Sequence, residues 1–202
     1  MNQSNLAPGL LLAMPHLLDP NFRRAVVLMI EHDDEGSFGV IVNQPSPLTA
    51  SELFSSLDLA WNGDAEAVVW RGGPVMPTYG WVLHDPQADL PVSVKNDGVT
   101  PDMTVLETGG SVPVGAELVL SSGSLSVLRS IAEMPPPHMR VLLGYAGWGA
   151  GQLAEEMARG SWLHADMSLD LVFDTAPDEM WELALRSTGI DPENIVHGVG
   201  IN

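Results

Sequence analysis

An α+β fold is predicted by two features of this 202-residue sequence. Short apolar runs rich in β-branched residues, joined by turn residues, dominate its first half, and strands alternate with helix-patterned segments in its second. A doubly wound sheet would alternate from end to end. Apolar residues make up 45% of the chain. That composition supports one sizeable core, so a single domain over residues 1–202 is expected, since one core serves chains of up to about 200–250 residues.

Taken in order, Gly9 to Met14 reads as a short buried strand and Asp19-Pro20-Asn21 as a turn. Ala25 to His32 is a continuous apolar run too short for most helices, so it reads as a central strand. Asp33 to Gly36 has hairpin-turn chemistry, and Phe38 to Asn43 returns as the next strand. Thr49 and Glu52 spell a capping box, Leu48 can staple to Leu53, and Leu53, Phe54 and Leu57 supply an apolar face. Ala67 to Arg71 and Gly80 to His84 read as strands, with Gly72-Gly73-Pro74-Val75 between them. Residues 85–102, rich in proline, read as a long loop, and Met103 to Thr108 and Glu117 to Ser121 as two further strands. Ser124 caps a helix through Met134, with Leu125, Leu128, Ile131 and Ala132 on one face, and Pro135, Pro136 and Pro137 stop it. Arg140 to Tyr145 is a strand, and a glycine-rich turn, Gly144 to Gly151, leads into a helix ending at Gly160. Leu169 to Phe173 reads as a strand. Thr175 caps the last long helix, which carries Trp181, Ala184, Leu185 and Thr188 on one stripe and closes at Gly189.

Charge narrows the partners. There are 26 acidic and 8 basic side chains, a net charge of −18, and Lys95 is the only lysine. Nucleic acid is held by Lys and Arg that displace counterions, so direct nucleic-acid binding is disfavoured, as is docking on an anionic membrane. No run approaches the roughly 20 apolar residues of a membrane span, and no charged n-region precedes the early apolar segment. A cytoplasmic protein is therefore expected, with an unidentified small molecule or protein as its partner. The absence of cysteine excludes disulfides, thiolate nucleophiles and cysteine-based zinc sites.

Several segments together resemble the YqgE/AlgH family of bacterial proteins. They are LLLAMPHLLDPNF (Leu10 to Phe22), VVLMIEHDDEGSFGVIVNQP (Val26 to Pro45), GGPV (Gly72 to Val75), VLH (Val82 to His84), LGYAGWGAGQL (Leu143 to Leu153), SWL (Ser161 to Leu163) and LVFDT (Leu171 to Thr175). The resemblance implies a mixed, bifurcated or partly barrel-like sheet surrounded by helices, and no recognised DNA-binding motif. One branch of that family is named for regulation of alginate biosynthesis, which suggests transcriptional regulation, here through a protein partner. The chain departs from the usual family pattern twice: Gln44 stands where an Arg is usual, and Ala154 where a Glu is usual.

The candidate site residues each admit an architectural and a functional reading. Gly147 and Gly149, in the glycine-rich turn, either permit close packing beside Tyr145 and Trp148 or offer N–H groups to an anion. Their spacing matches neither a P-loop nor a dinucleotide fingerprint, so no cofactor is implied. Glu31 and His32 are adjacent on a strand and face opposite ways, so only one can line a given site. His32 and His84 are the candidate catalytic bases, and would act jointly only if their strands are neighbours. No His pair has metal-ligand spacing, so no metal is assigned. Asn43, Gly72, Gly73 and Gln152 serve either turns and caps or a ligand. Trp61, Trp70 and Trp81 would mark a partner surface if exposed together.

Overall fold

The computed structural model describes residues 6–87, 89–90, 92–93 and 103–196. Within them the chain order is β1 (Gly9–Ala13), β2 (Val26–His32), β3 (Gly36–Ile41), β4 (Pro45–Thr49), α1 (Ala50–Ser56), β5 (Val68–Arg71), β6 (Val75–His84), α2 (Thr104–Glu107), β7 (Ser111–Val114), β8 (Leu118–Ser122), α3 (Leu125–Glu133), β9 (Met139–Gly149), α4 (Gln152–Ala158), β10 (Trp162–Ala165), α5 (Pro177–Ser187) and α6 (Pro192–Val196). The α+β class expected from the sequence is observed. No helix among the described residues is long and apolar enough to cross a membrane.

The chain divides into two compact units. The first holds the described residues within 1–44, 72–75 and 145–202. Its strands run antiparallel in the order β10-β1-β2-β3, and β3 pairs with the last residues of β9. Leu10, Leu11 and Leu12 are fully buried, as a strand covered on both faces requires. One core cluster joins Leu11, Val27, Met29 and Ile41 to Trp148, Leu153 and Trp162. Helix α5 buries Met180, Trp181, Ala184 and Leu185, and the Trp181 indole N–H donates to the Ala13 carbonyl at 2.9 Å. Gly73 meets the Tyr145 carbonyl so closely that a Cβ there would collide with backbone.

The second unit holds the described residues within 45–71 and 76–144. Here β4 pairs antiparallel with β5, β5 pairs parallel with the start of β9, and β6-β8-β7 form an antiparallel run. The Thr49–Glu52 capping box of α1 forms as expected. Phe54 is fully buried among Val69, Val82, Val127, Leu128, Ile131 and Val141, and stacks on Trp61 at 4.8 Å. The Arg140 guanidinium lies 3.6 Å over Trp70, and burial lowers its pKa to about 10.

Four expectations are corrected. Met103 to Thr108 is not a strand but the short helix α2: only Leu106 is buried, the Thr108 hydroxyl donates back to the Val105 carbonyl, and Gly109 ends the turn. Leu169 to Phe173 is not a strand but falls largely in a π-helical turn, Asp170–Asp174, started by the Ser168 hydroxyl accepting the Leu171 N–H. Thr175 does not cap α5; its hydroxyl donates to the Asp170 carbonyl, and Ala176 and Pro177 start the helix. Leu125 is 59% exposed, and Val127 takes its place on the buried face of α3. The loop expected over 85–102 lies outside the described residues at 88, 91 and 94–102.

Because Phe54 fills the centre of the second unit's core, Phe54→Ala should lower unfolding free energy by about 3–5 kcal/mol. Thr49→Ala, which removes one cap, should cost about 1 kcal/mol. Urea denaturation of both variants checks the ranking, and equal costs would contradict the central role of Phe54.

Candidate functional site

The hairpin of β2 and β3 positions the first wall of a cleft. Its turn is fixed by the Asp33 carboxylate, which accepts the Glu35 and Gly36 N–H groups at 2.9 and 3.1 Å. Cross-strand pairing sets His32 opposite Ser37, with 2.7 Å between the imidazole Nδ1 and the hydroxyl. The second wall is α4. Gly151 adopts φ of 73°, left-handed backbone that turns the chain from β9 into this helix. The cleft encloses about 360 Å³, with His32, Asp33, Asp34 and Ser37 on its polar side and Leu6, Leu153, Ala154 and Met157 on its apolar side. Leu6 and Leu153 belong to the core cluster behind it.

Helix α4 is held by Glu156. Its Oε2 accepts the Trp148 and Trp162 indole N–H groups at 3.0 and 2.7 Å, and its Oε1 accepts the Gln152 amide at 2.9 Å. Both indoles are largely buried and meet edge to face at 5.6 Å, with Phe22 packed on each. Sequence reasoning passed over Glu156, because its partners lie on two different strands. The signal available was a carboxylate one helical turn after Gln152, on a helix flanked by tryptophans.

Of the nine candidate residues, only His32 lines the cleft. Glu31, its neighbour on β2, is not among the lining residues. Gly147 and Gly149 lie in strand β9, paired with Phe38 and Gly36, rather than in a turn. The Gly149 N–H donates to the Gln152 Oε1 at 3.1 Å, so this segment is not an open anion cradle. Asn43 braces the chain instead: its amide donates to the Arg24 carbonyl at 2.9 Å and its oxygen accepts the Val26 N–H at 2.8 Å. The Gly72 carbonyl accepts the Ile41 N–H at 2.7 Å, and Gly73 makes the close approach already described. Gln44 donates to the Asn21 carbonyl at 2.9 Å. The tryptophans do not form an exposed trio, since Trp81 is buried, Trp61 stacks on Phe54, and Trp70 lies under Arg140.

His84 is fully buried in the second unit, on a strand whose antiparallel partner is β8, whereas His32 sits on β2 between β1 and β3. The neighbouring strands that joint action needs are not present. The His84 Nδ1 donates to the Asp85 carbonyl at 2.6 Å, which leaves Nε2 to accept from the Ser121 hydroxyl at 2.8 Å. Ser111 donates in turn to Ser121 at 2.6 Å. Burial pulls the His84 pKa below its ordinary value, opposed by the Asp85 carbonyl and by the Asp85 and Asp89 carboxylates. A second cleft of about 410 Å³ lies between β10 and α5, beside a buried His164 Nε2 that has no hydrogen-bond partner among the described residues. No group of three or more acidic or histidine side chains among the described residues is arranged to hold a metal ion.

Fold and cleft together define an α+β protein with an amphipathic cleft beside a short helix. A family model described as AlgH-like matches residues 10–193. A UPF0301 protein of Myxococcus xanthus (strain DK1622) is 41% identical over 199 residues, covering 98% of this chain and 99% of that protein. One from Anaeromyxobacter sp. (strain K) is 37% identical, covering 98% and 95%. The solution structure of the AlgH protein from Pseudomonas aeruginosa is similar with a TM-score of 0.70 at 30% identity, over 100% of this chain and 98% of that one. The chain belongs to the AlgH-like family.

Glu156→Ala would strand two buried indole donors, so it should cost about 2–3 kcal/mol and speed amide exchange across residues 152–158. Unchanged exchange there would show that α4 does not depend on the carboxylate. For His84 the folded pKa lies below the unfolded value, so its contribution to stability is present above about pH 6.5 and is lost as pH falls through the folded pKa. The stability gap between the wild type and His84→Gln should therefore narrow on acidification from pH 7.5 to pH 5. Chemical denaturation at each pH measures it, and a gap that widens would reverse the assignment.

Proposed function

We propose that this protein is a cytoplasmic binding protein whose small ligand occupies the cleft between the β2–β3 turn and α4. The observation that carries the reading is the cleft's division into a polar side, with His32 beside Ser37, and an apolar side continuous with the core. At about 360 Å³ it falls within the range of small-molecule sites. Any action on transcription then runs through a protein partner, because a chain with a net charge of −18 repels the phosphate backbone.

A second reading rests on the 2.7 Å contact between His32 Nδ1 and the Ser37 hydroxyl, which has the form of a base and a nucleophile. The nearby Gly149 N–H does not supply an oxyanion donor, since the Gln152 side chain already occupies it. Binding is therefore the better-supported function.

Screening a metabolite library by two-dimensional amide NMR tests the choice. At least one compound should shift the resonances of His32, Ser37 and Met157, and Ala154→Trp, which fills the cleft, should abolish the shifts. Ligands that bind the tryptophan variant equally well would remove the cleft from consideration. Ser37-dependent labelling by a fluorophosphonate would favour the enzyme reading instead.

A further inference from the structure

The second cleft, between β10 and α5, lies within the first unit and has a chemistry of its own. His164 and Asp166 stand two residues apart, and both line it. Asp166 has no hydrogen-bond or ion-pair partner among the described residues, and no Lys or Arg lines the cleft. Arg186, on the adjacent helix, is paired with Glu182 at 3.8 Å. His164 packs its buried, partnerless Nε2 against Gly9, which leaves Nδ1 as the ring nitrogen a ligand can reach. Helix α5 ends at this cleft. There the Ser187 hydroxyl donates to the Ala184 carbonyl and the Thr188 hydroxyl to the Leu185 carbonyl, both at 2.7 Å. With those protons spent, both oxygens meet a ligand only as acceptors. An 11-residue helix also brings the negative end of its dipole to this place. Leu171 and Leu183 add apolar surface, and Leu183 is 40% exposed.

The cleft therefore combines an uncommitted carboxylate, two hydroxyl oxygens that can only accept, a helix C-terminus and two leucines. An anion is opposed by the first three. We propose that this cleft is a second binding site, independent of the one beside α4, and that it takes the guanidinium group of a small molecule. A guanidinium carries five donors in one plane, which suits acceptors spread around a cleft and a bidentate contact with Asp166. It is also more weakly hydrated than an ammonium, so its faces lie against Leu171 and Leu183 at less cost. An arginine side chain of a protein presents the same group. The free compound is the occupant proposed, because about 410 Å³ is the size of a small-molecule site.

Three probes on one stem separate the contributions: n-butylguanidinium, n-butylammonium and the neutral n-butylurea, titrated at millimolar concentration into the full-length protein and followed by amide NMR. Butylguanidinium should shift His164, Asp166, Leu183 and Thr188, binding about tenfold more tightly than the urea and about threefold more tightly than the ammonium. Asp166→Asn should weaken the guanidinium about fivefold and leave the urea unchanged, with the spectrum itself reporting that the variant is folded. Ser187→Trp, at an exposed position that fills the cleft, should remove the shifts, which separates this site from general attraction to an acidic surface. A blocked peptide with one central arginine should bind more weakly than butylguanidinium. Tighter binding of the peptide would assign the cleft to a protein partner and overturn the small-molecule proposal. Urea or ammonium binding as tightly as the guanidinium, shifts that persist in Ser187→Trp, or no shifts at these residues would each overturn it as well, and none of these outcomes bears on the cleft beside α4.

Discussion

Helix α4 is seven residues long, too short to be stable by its own hydrogen bonds, so its place depends on what fastens it. Leu153 supplies the buried apolar contact, and Glu156 supplies the directional one. A carboxylate that accepts two indole N–H groups and one amide fixes the helix in rotation as well as position. That rotation decides which side chains meet the β2–β3 turn. With Glu156 directed at Trp148 and Trp162, the residues left to wall the cleft are Leu153, Ala154 and Met157. The same carboxylate makes two buried tryptophans affordable, since an indole N–H without an acceptor would cost free energy in the core.

Much of the fold was legible because its signals are local. The Thr49–Glu52 box, the Ser124 cap and the proline stop after α3 each act within a few residues, and each is found where the sequence sets it. The apolar runs of β1 and β2 were readable for a similar reason, since a strand buried on both faces needs no partner to reveal its pattern. What was missed depended on context. Strand β4 contains Pro45 and Pro47, which argue against a strand until β5 is there to pair with it. Strand β10 is four residues long and is defined by its register with β1. The glycines at 147 and 149 looked like a loop because glycine usually marks one, yet they pair with Phe38 and Gly36.

The candidate site was less legible than the fold, for a physical reason. Asn43, Gly72, Gly73, Gln152 and His84 share polarity or conformational freedom with binding residues, but each spends it on the chain itself. Asn43 uses both ends of its amide on residues 24 and 26, and His84 uses both ring nitrogens inside the second unit. Nothing in a residue's identity separates a side chain that braces backbone from one that awaits a ligand. That distinction lies in whether its hydrogen-bonding capacity is already used, and only the folded geometry reveals it. His32 keeps its place because its partner, Ser37, lines the same cleft.

The departure at Ala154 acquires a meaning from this geometry. Where the family resemblance sets a glutamate, this chain sets a methyl group, and that methyl group lines the cleft. A carboxylate there would stand between Leu153 and Met157, break the apolar wall and bring a third negative charge into the space. Alanine at 154 leaves an uninterrupted apolar side facing a hairpin that carries Asp33 and Asp34. The amphipathic division of the cleft thus rests on a small side chain at position 154, on a helix whose rotation Glu156 has already fixed.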